Sequence, residues 1–207
     1  MLIHLEGNIA AGKSTLGALL HEHPAFTFIP EPVEVWQGGF SENMLDRFYA
    51  GMPRWSFTFQ VTTFFTRVEA LAARSADTIT VGERCIGTDR HVFAPSLHAV
   101  GALDDLEWEL YRRFYAVLAP VVPQPDALLY LRTPAAECLR RLQQRHRAEE
   151  TNVELAYLQQ LESSHDAWLL DRPGVIVLDG TRAWTADDVL ARINNMPARI
   201  DGLAARE

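Results

Sequence analysis

A glycine-rich segment near the start of the sequence has the residue types and spacing of a phosphate-binding loop. Residues 7–14 read Gly-Asn-Ile-Ala-Ala-Gly-Lys-Ser and match the pattern G-x-x-x-x-G-K-S/T in full. In such a loop, backbone N–H groups and a helix N-terminus attract phosphate oxygens, the lysine reaches the β- and γ-phosphates, and the hydroxyl binds Mg²⁺. We therefore expect Mg²⁺ and a nucleoside triphosphate here, bound by Gly7, Asn8, Ile9, Ala10, Ala11, Gly12, Lys13, Ser14 and Thr15.

The choice of charged residues narrows the class of phosphate-binding protein. Lys13 is the only lysine among 19 Lys and Arg residues, so the sequence lacks the N/T-K-x-D segment with which GTPases recognise guanine. Motor ATPases usually carry a strand that ends in adjacent acidic residues, whereas the last apolar run here ends at Asp179 and glycine follows. A kinase that acts on a small molecule is the class that remains.

Charged residues also follow two further apolar runs, where strands are expected to end. Glu31 follows the second run, and Glu83 and Arg84 follow the third. Because the carboxyl ends of parallel strands face the phosphates in a sheet of this kind, we expect all three side chains to lie near the nucleotide. Glu31 is a candidate base for a hydroxyl group, Glu83 a candidate magnesium-site group, and Arg84 a clamp. Each could alone be a solvated loop charge, but their coincidence favours a site.

The elements that must position these residues alternate along the chain. The short apolar runs lack clean alternation, which is typical of strands buried on both faces of a parallel sheet. They are Leu2–Leu5, Phe26–Ile29, Thr78–Val81, Ala127–Leu131 and Val175–Leu178. Between them, the clearest predicted helices are Lys13–His21, Phe57–Arg74, Asp104–Leu118 and Pro134–Arg147. We therefore predict an α/β fold, with a five-stranded parallel sheet flanked by helices, in a single domain over residues 1–207.

The composition excludes several other classes. Apolar residues make up 48% and charged residues 22% of the chain, which indicates a folded domain. The net charge of −8 argues against a nucleic acid polymer as partner. No apolar run approaches the roughly 18 residues of a membrane helix, so no membrane association is expected. The N-terminal segment lacks the pattern of a signal peptide, and the two cysteines form no CxxC pair, which predicts a cytoplasmic protein.

Five stretches carry a resemblance to a known family over nearly the whole chain. They are GNIAAGKST at 7–15, EPVEVW at 31–36, RWSFTFQ at 54–60, GERCIGTDRHVFA at 82–94 and RLQQRHRAEE at 141–150. Together they resemble the deoxyribonucleoside kinases, which include deoxycytidine and deoxyguanosine kinases. The first stretch is common elsewhere, whereas the others together are specific. The resemblance implies a P-loop kinase fold with a short arginine-rich lid. It also implies transfer of the γ-phosphoryl group of ATP to the 5′-hydroxyl of a deoxyribonucleoside, a step of nucleotide salvage.

The resemblance assigns expected roles to individual residues. Glu31 resembles the base that takes the proton from the 5′-hydroxyl, and Arg84 resembles the residue that holds this hydroxyl and the transferring phosphoryl group. With Lys13, these are the expected catalytic residues. The other expected substrate contacts are Trp36 and Phe93 as walls of the base slot, Gln60 at the base edge, Tyr49 and Glu150 at the sugar 3′-hydroxyl, and Arg67 and Asp89 beside the base. The expected ATP-binding lid residues are Arg141, Arg145 and Arg147, the expected metal-site residues are Ser14 and Glu83, and Asp179 is expected to lie near adenine.

A polar stripe on the second predicted helix supports this interpretation independently. Ser56, Gln60, Thr63 and Arg67 recur at spacings of four, three and four among Phe, Val and Thr residues. The stripe is either a solvent-exposed face or the wall of a pocket. An amide that donates and accepts hydrogen bonds suits the edge of a nucleobase, so the second interpretation predicts that Gln60 faces the base.

The residues flanking the base slot predict the preferred nucleoside. Arg67 and Asp89 match a charged pair of deoxycytidine and deoxyguanosine kinases, where thymidine-preferring relatives carry apolar residues. We therefore expect purines or cytosine to be preferred over thymine. Cys85, Gly87 and Gln143 depart from the family pattern.

Two other functions and the oligomeric state stay open at this point. A nucleoside monophosphate kinase would need arginines facing the acceptor phosphate, and the carboxylate of Glu31 would repel that phosphate. A non-catalytic P-loop nucleotide-binding module would need neither a base nor a lid. Relatives are commonly homodimers, and the predicted helix Asp104–Leu118 is a candidate dimer face.

Overall fold

A parallel β-sheet forms the centre of the molecule. The computed structural model describes residues 1–150, 153–196 and residue 200. Within these residues, five strands are arranged in the order β2-β3-β1-β4-β5, and every neighbouring pair is parallel. The strands are β1 (Leu2–Glu6), β2 (Phe26–Ile29), β3 (Ile79–Glu83), β4 (Ala127–Arg132) and β5 (Val175–Asp179). The predicted α/β class and the five-stranded parallel sheet are therefore confirmed.

Helices cover both faces of this sheet. They are α1 (Lys13–His21), α2 (Val33–Gly38), α3 (Met44–Ala50), α4 (Met52–Ala70), α5 (Ile86–Thr88), α6 (Ala94–Ala99), α7 (Asp105–Leu118), α8 (Ala135–Arg145), α9 (Leu155–Leu169) and α10 (Ala186–Asn194). A π-helical turn, Asp89–Phe93, joins α5 to α6. Shorter 3-10 turns are Leu71–Ala73, Ala119–Val121 and Ala148–Glu150.

The core has two layers because both faces of the sheet are buried. Leu129 of β4 faces the cluster that includes Leu16 of α1 and Val189 of α10, whereas Leu128 faces the cluster that includes Phe64 of α4 and Leu169 of α9. Successive side chains of a strand point to opposite faces, so a strand with apolar neighbours on both sides shows no polar alternation. This explains the continuous apolar runs of the sequence.

Several element boundaries differ from those predicted, and three of the differences have a clear physical reason. Helix α4 begins at Met52 instead of Phe57, because Pro53 lies in its first turn, where a missing N–H group costs nothing. Helix α8 ends at Arg145 because His146 takes a left-handed conformation, with φ 51°. Strand β3 continues through Gly82 and Glu83 beyond the predicted end at Val81. A Cβ atom at Gly82 would lie 2.8 Å from Nδ1 of His4, so glycine is needed beside that ring.

The prediction that residues 1–207 form a single domain stays a prediction. Residues 151–152, 197–199 and 201–207 lie outside the described residues. In the ranges that the structure does describe, no helix combines the length and apolar character needed to span a membrane.

Candidate active site

The phosphate-binding loop connects the central strand β1 to helix α1. Gly7 and Gly12 have positive φ values of 146° and 105°, which favour glycine, and Ala10 also lies in the left-handed region at 57°. A Cβ atom at Gly7 would lie 2.7 Å from the backbone oxygen of Leu131, so any side chain there would collide with the end of β4. The two glycines of the motif are thus required by backbone geometry.

Lys13 and Ser14, at the start of α1, meet the end of β3 beneath this loop. The ammonium group of Lys13 donates to the carbonyl oxygens of Asn8 and Gly7 at 2.8 Å and 3.1 Å, and lies 3.9 Å from Oε1 of Glu83. The Ser14 hydroxyl donates to Oε2 of Glu83 at 3.0 Å. Burial lowers the pKa of Lys13 to about 8, with Arg84 acting in the same direction. The loop therefore holds an ammonium group that a phosphate would stabilise.

Four charged side chains from three parts of the chain form what we call the Glu31 cluster: Glu31, Arg67, Arg84 and Asp89. The Glu31 carboxylate accepts hydrogen bonds from Nη1 of Arg84 at 2.7 Å and 2.8 Å, and from Nη2 of Arg67 at 2.7 Å. Nε of Arg67 lies 3.3 Å from Oδ2 of Asp89. The predicted pair of Arg67 and Asp89 is therefore formed. The contact between Arg67 and Glu31 was not predicted.

The two acids of the Glu31 cluster have pKa values that move in opposite directions. Burial raises the pKa of Glu31, but the two arginines outweigh it and lower the value to about 2. Burial raises the pKa of Asp89 to about 6, and Arg67 opposes this only in part. Glu31 is consequently fully ionised at neutral pH, whereas Asp89 is easier to protonate.

The backbone of Arg84 takes an unusual conformation directly after β3. Its φ of 60° lies in the left-handed region, which costs a residue other than glycine about 1–2 kcal/mol. This conformation directs the guanidinium group to Glu31 and to the carbonyl oxygen of Gly7, 3.3 Å from Nη2. The same group lies over the ring of Phe93, 5.1 Å from its centroid. Arg84 therefore joins the phosphate-binding loop to the Glu31 cluster.

A cavity of about 930 Å³ opens beside the phosphate-binding loop. Its volume falls in the range of small-molecule sites. The expected acceptor and lid residues all line it: Glu31, Trp36, Tyr49, Gln60, Arg67, Arg84, Asp89, Phe93, Arg141, Arg145, Arg147 and Glu150. On the loop side it is lined by residues 9–15 and by Glu83. The structure thus brings the residues of both predicted sites together around one cavity.

The polar stripe of α4 faces inward. Ser56, Gln60, Thr63 and Arg67 are all buried, so the solvent-exposed interpretation is wrong. Gln60, Thr63 and Arg67 line the cavity, whereas Ser56 is not among the lining residues. Among the described residues, Oε1 of Gln60 has no hydrogen-bond partner. Because a buried acceptor without a partner costs free energy, this oxygen is suited to a ligand.

The three predicted lid arginines have different partners. Arg141 donates to the carbonyl oxygens of Ala11 at 2.7 Å and Gly180 at 2.9 Å, so it ties the phosphate-binding loop to the segment after β5. Arg145 and Arg147 both pair with the carboxylate of Glu150, the latter at 2.9 Å. These two arginines lie at the cavity and share one carboxylate, which neutralises only half of their combined charge.

Three predicted site residues lie outside the cavity lining: Gly7 and Asn8 at the start of the phosphate-binding loop, and Asp179. Of these, Asp179 is the one that lies away from the loop. The carboxylate of Asp179 accepts hydrogen bonds from the backbone N–H and the hydroxyl group of Thr181, at 2.8 Å and 2.7 Å. The side chain therefore stabilises the turn after β5. The segment after β5 is connected to the site by Gly180, whose carbonyl oxygen accepts a hydrogen bond from Arg141.

Comparison with known proteins decides the family. A family model described as deoxynucleoside kinase matches residues 3–196. The chain belongs to the deoxynucleoside kinase family. It is accordingly a kinase that phosphorylates nucleosides, and the resemblance found in its sequence is confirmed.

Three relatives illustrate the similarity of this deoxynucleoside kinase to curated proteins. A probable deoxycytidine kinase of fowlpox virus is 36% identical over 172 residues, which cover 81% of this chain and 71% of the relative. Deoxycytidine kinase 2 of Gallus gallus is 34% identical over 82% of this chain and 74% of its own length. The mitochondrial deoxyguanosine kinase of Xenopus laevis is 31% identical over 81% and 72%, respectively.

Two acidic residues of this deoxynucleoside kinase were missed by the sequence-based predictions. Glu6 is fully buried at the end of β1, and its signal was an acidic residue directly after a predicted buried strand. Glu149 accepts hydrogen bonds from the side chains of Gln37 at 2.9 Å and Asn43 at 3.0 Å, and so joins the segment after α8 to α2 and α3. No spacing or motif singled out Glu149, because its partners lie more than one hundred positions away in the sequence.

Replacing Glu31 with glutamine tests the charge balance of the Glu31 cluster. The pKa of Glu31 in the folded protein, about 2, lies below its ordinary value of 4.5, a shift worth on the order of 3 kcal/mol. This contribution to stability is present above pH 4.5 and is lost as the pH falls toward 2. We expect Glu31→Gln to lower the free energy of unfolding by about 3 kcal/mol at pH 7, and the difference from wild type to shrink below pH 4.5.

Urea titrations at a series of pH values measure this difference. Glu34→Gln, at an exposed glutamate three positions away on α2, is the matched control and should follow the wild type throughout. A difference between Glu31→Gln and wild type that stayed constant from pH 7 to pH 3 would contradict the proposed charge balance.

Proposed function

We propose that this protein transfers the γ-phosphoryl group of ATP to the 5′-hydroxyl of a deoxyribonucleoside and releases the 5′-monophosphate and ADP. The observation that carries the proposal is the position of Glu31. Its carboxylate lies at the boundary between the phosphate-binding loop and the cavity, bonded to Arg84, which also contacts the loop at Gly7. A hydroxyl group bound at this carboxylate would lie next to the terminal phosphate. Family membership favours this reaction over a nucleoside monophosphate kinase and over a non-catalytic nucleotide-binding module.

The donor half of the proposed site is the phosphate-binding loop with Lys13. Its glycine-rich backbone suits the triphosphate of ATP, and the Lys13 ammonium suits the β- and γ-phosphates. The hydroxyl of Ser14 and the carboxylate of Glu83 form an oxygen donor set of the kind that Mg²⁺ prefers. Among the described residues, no cluster of three or more His, Cys, Asp or Glu side chains suits a metal, which fits an ion held mainly by phosphates and water. When bound, Mg²⁺ would neutralise charge on the phosphate oxygens.

The acceptor half of the proposed site is the cavity under α4. The side-chain amide of Gln60 has an unpaired buried oxygen, which is assigned to the edge of a base. Trp36 and Phe93 also line the cavity and are assigned as the apolar walls of the base slot. Trp36 is held by a 3.0 Å hydrogen bond from its indole nitrogen to Thr66. Tyr49 and Glu150 line the remaining wall and are assigned to the sugar 3′-hydroxyl.

The chemical step requires the Glu31 cluster to rearrange. With its pKa near 2, Glu31 is a weak base while both arginines bond to it. A phosphoryl group at the loop offers Arg84 a second anionic partner, and a change of partner would raise the basicity of Glu31. The 5′-hydroxyl then loses its proton to Glu31, its oxygen bonds to the γ-phosphorus, and the bond from that phosphorus to the bridging oxygen of ADP breaks. Arg141, Arg145 and Arg147 are proposed to close on the phosphates as a lid and exclude water.

Turnover of Glu31→Gln is the direct test of this function. The amide keeps the shape of the side chain but cannot accept the proton, so we expect kcat to fall by about 10²–10⁴-fold. ADP release, followed with and without a deoxynucleoside, measures the reaction and separates nucleoside-dependent transfer from ATP hydrolysis. Glu22→Gln, at an exposed glutamate that does not line the cavity, is the control and should retain activity. Normal turnover by Glu31→Gln, or ADP release that does not depend on a nucleoside, would overturn the proposal.

The nucleoside preference is a further part of the proposal. The ion pair of Arg67 and Asp89 presents charge beside the base slot and suits the polar edge of cytosine or a purine. The relatives named deoxycytidine kinase and deoxyguanosine kinase support this assignment, since their names specify such bases. The pair leaves an unfavourable environment for the methyl group of thymine.

Competition among the four deoxynucleosides tests the preference. We expect the lowest kcat/KM for thymidine, and we expect Asp89→Ala combined with Arg67→Met to raise the ratio for thymidine relative to deoxycytidine. Arg67→Met alone is the control, because it also removes a hydrogen bond to Glu31 and therefore reports the loss of rate common to all bases. Thymidine as the best substrate of the wild type would contradict the assignment.

We also propose that the protein forms a homodimer through α7. The cytoplasmic location expected from the sequence stays a prediction. Leu106, Leu110 and Val117 share one face of α7 and are 64%, 47% and 72% exposed. Apolar residues grouped in this way on a surface favour a protein partner, and a second copy of the chain is the partner proposed.

Light scattering coupled to size exclusion measures the oligomeric state. We expect the mass of a dimer for wild type and of a monomer for Leu106→Glu combined with Leu110→Glu, because a buried charge opposes association. Leu19→Glu, at an exposed leucine of α1, controls for the added charge. A wild type that is monomeric at micromolar concentration would refute the dimer.

A further inference from the structure

Glu6 is a fully buried carboxylate that takes no part in the reaction proposed above. It ends β1, directly before the phosphate-binding loop, and it does not line the cavity. Its Oε1 accepts a hydrogen bond from the backbone N–H of Cys85 at 2.9 Å, and its Oε2 accepts one from the hydroxyl of Thr88 at 2.6 Å. A carboxylate is expensive to bury. Of the five buried residues of β1, three are apolar, and Glu6 is the one that carries a carboxyl group. Packing alone does not account for a carboxylate at this position.

The first bond of Glu6 fixes the backbone of Arg84. The N–H group of Arg84 donates to the carbonyl of Leu5 at 3.0 Å, and the next N–H group, that of Cys85, donates to Glu6. Two consecutive bonds to β1 therefore flank the residue that holds φ at 60°. A strained conformation of this kind persists only where its surroundings determine it. Without the bond to Glu6, the N–H group of Cys85 would keep only its longer bond to the Thr88 hydroxyl, at 3.3 Å, and the peptide after Arg84 would be held less firmly in this conformation.

The second bond of Glu6 fixes the other end of the same short segment. Thr88 is fully buried and immediately precedes Asp89, which pairs with Arg67. Arg84 reaches Glu31 directly, and Asp89 reaches it through Arg67. One carboxylate thus holds both ends of the segment that supplies two of the four side chains of the Glu31 cluster.

We propose that Glu6 is a positioning residue for phosphoryl transfer: through Cys85 and Thr88 it holds Arg84 in the conformation that reaches the transferring group. This inference rests on the proposed function, because Arg84 must act on the phosphoryl group for its position to matter. Glu6 touches neither substrate, so removing its bonds should alter the rate of the chemical step and leave binding of ATP to the phosphate-binding loop unchanged.

Thr88→Val is the sharpest test because it is close to isosteric and removes the hydroxyl donor to Glu6. We expect kcat to fall by about ten- to a hundredfold, as a small misplacement of a catalytic group does, while KM for ATP stays close to that of wild type. Thr88→Ser restores the hydroxyl and should recover most of the lost kcat. Ser96→Ala is the matched control: it removes a buried hydroxyl bond, 2.7 Å to the carbonyl of Val92, away from the cavity, and should keep the kcat of wild type.

A second measurement separates positioning of Arg84 from general loosening of the fold. In an Arg84→Lys background, Thr88→Val should have little further effect on kcat, since both changes act on the same group. The inference is overturned if Thr88→Val retains the kcat of wild type, if Thr88→Ser fails to recover it, or if the two losses multiply in the double variant. A wild type inactive toward all four deoxynucleosides would instead refute the proposed function. Thermal melts confirm that each variant is folded at the assay temperature.

Discussion

The site depends on the compensation of buried charge around Glu31. A carboxylate that is nearly removed from water stays ionised only because Arg84 and Arg67 both donate to it. The three groups come from the segment after β2, from helix α4 and from the end of β3, so their meeting requires the whole parallel sheet and the helix across it. If one of these charges were removed, the others would remain buried and uncompensated, which is the costly state. The arrangement of the cavity therefore follows from an electrostatic requirement as much as from packing.

Arg67 contacts both acids of the Glu31 cluster. It donates to Glu31 and lies beside Asp89, and its guanidinium lies 5.3 Å from the centroid of the Trp36 ring. Residues in one charged network do not contribute independently. A change at Asp89 is consequently expected to affect the basicity of Glu31 as well. Under the proposed function, specificity and rate would be coupled through this shared side chain.

The sequence was sufficient for those parts of the fold and site that depend on local signals or on a topological rule. The loop at residues 7–14 is contiguous, and its motif is readable. Glu31, Glu83 and Arg84 follow predicted strands, and parallel strands bring their carboxyl ends to one edge.

The hydrogen bond from Arg67 to Glu31 could not be predicted from the sequence, because it depends on how α4 is oriented over the sheet. The predicted helix Phe57–Arg74 did not include Pro53, whereas α4 begins at Met52, one residue before this proline. The bonds of Glu6 and Glu149 join distant segments and leave no periodic signal.

The rarity of one residue type in this chain has a practical consequence. Lys13 supplies the sole side-chain amine of the 207 residues, and its pKa of about 8 leaves an appreciable neutral fraction in mildly alkaline solution. A neutral amine is a nucleophile, so acylating reagents that label most proteins at many surface positions would encounter a single lysine, at the floor of the phosphate-binding loop. A reactive nucleotide analogue that acylates lysine would therefore have one lysine to label in this chain, and that lysine lies in the phosphate-binding loop.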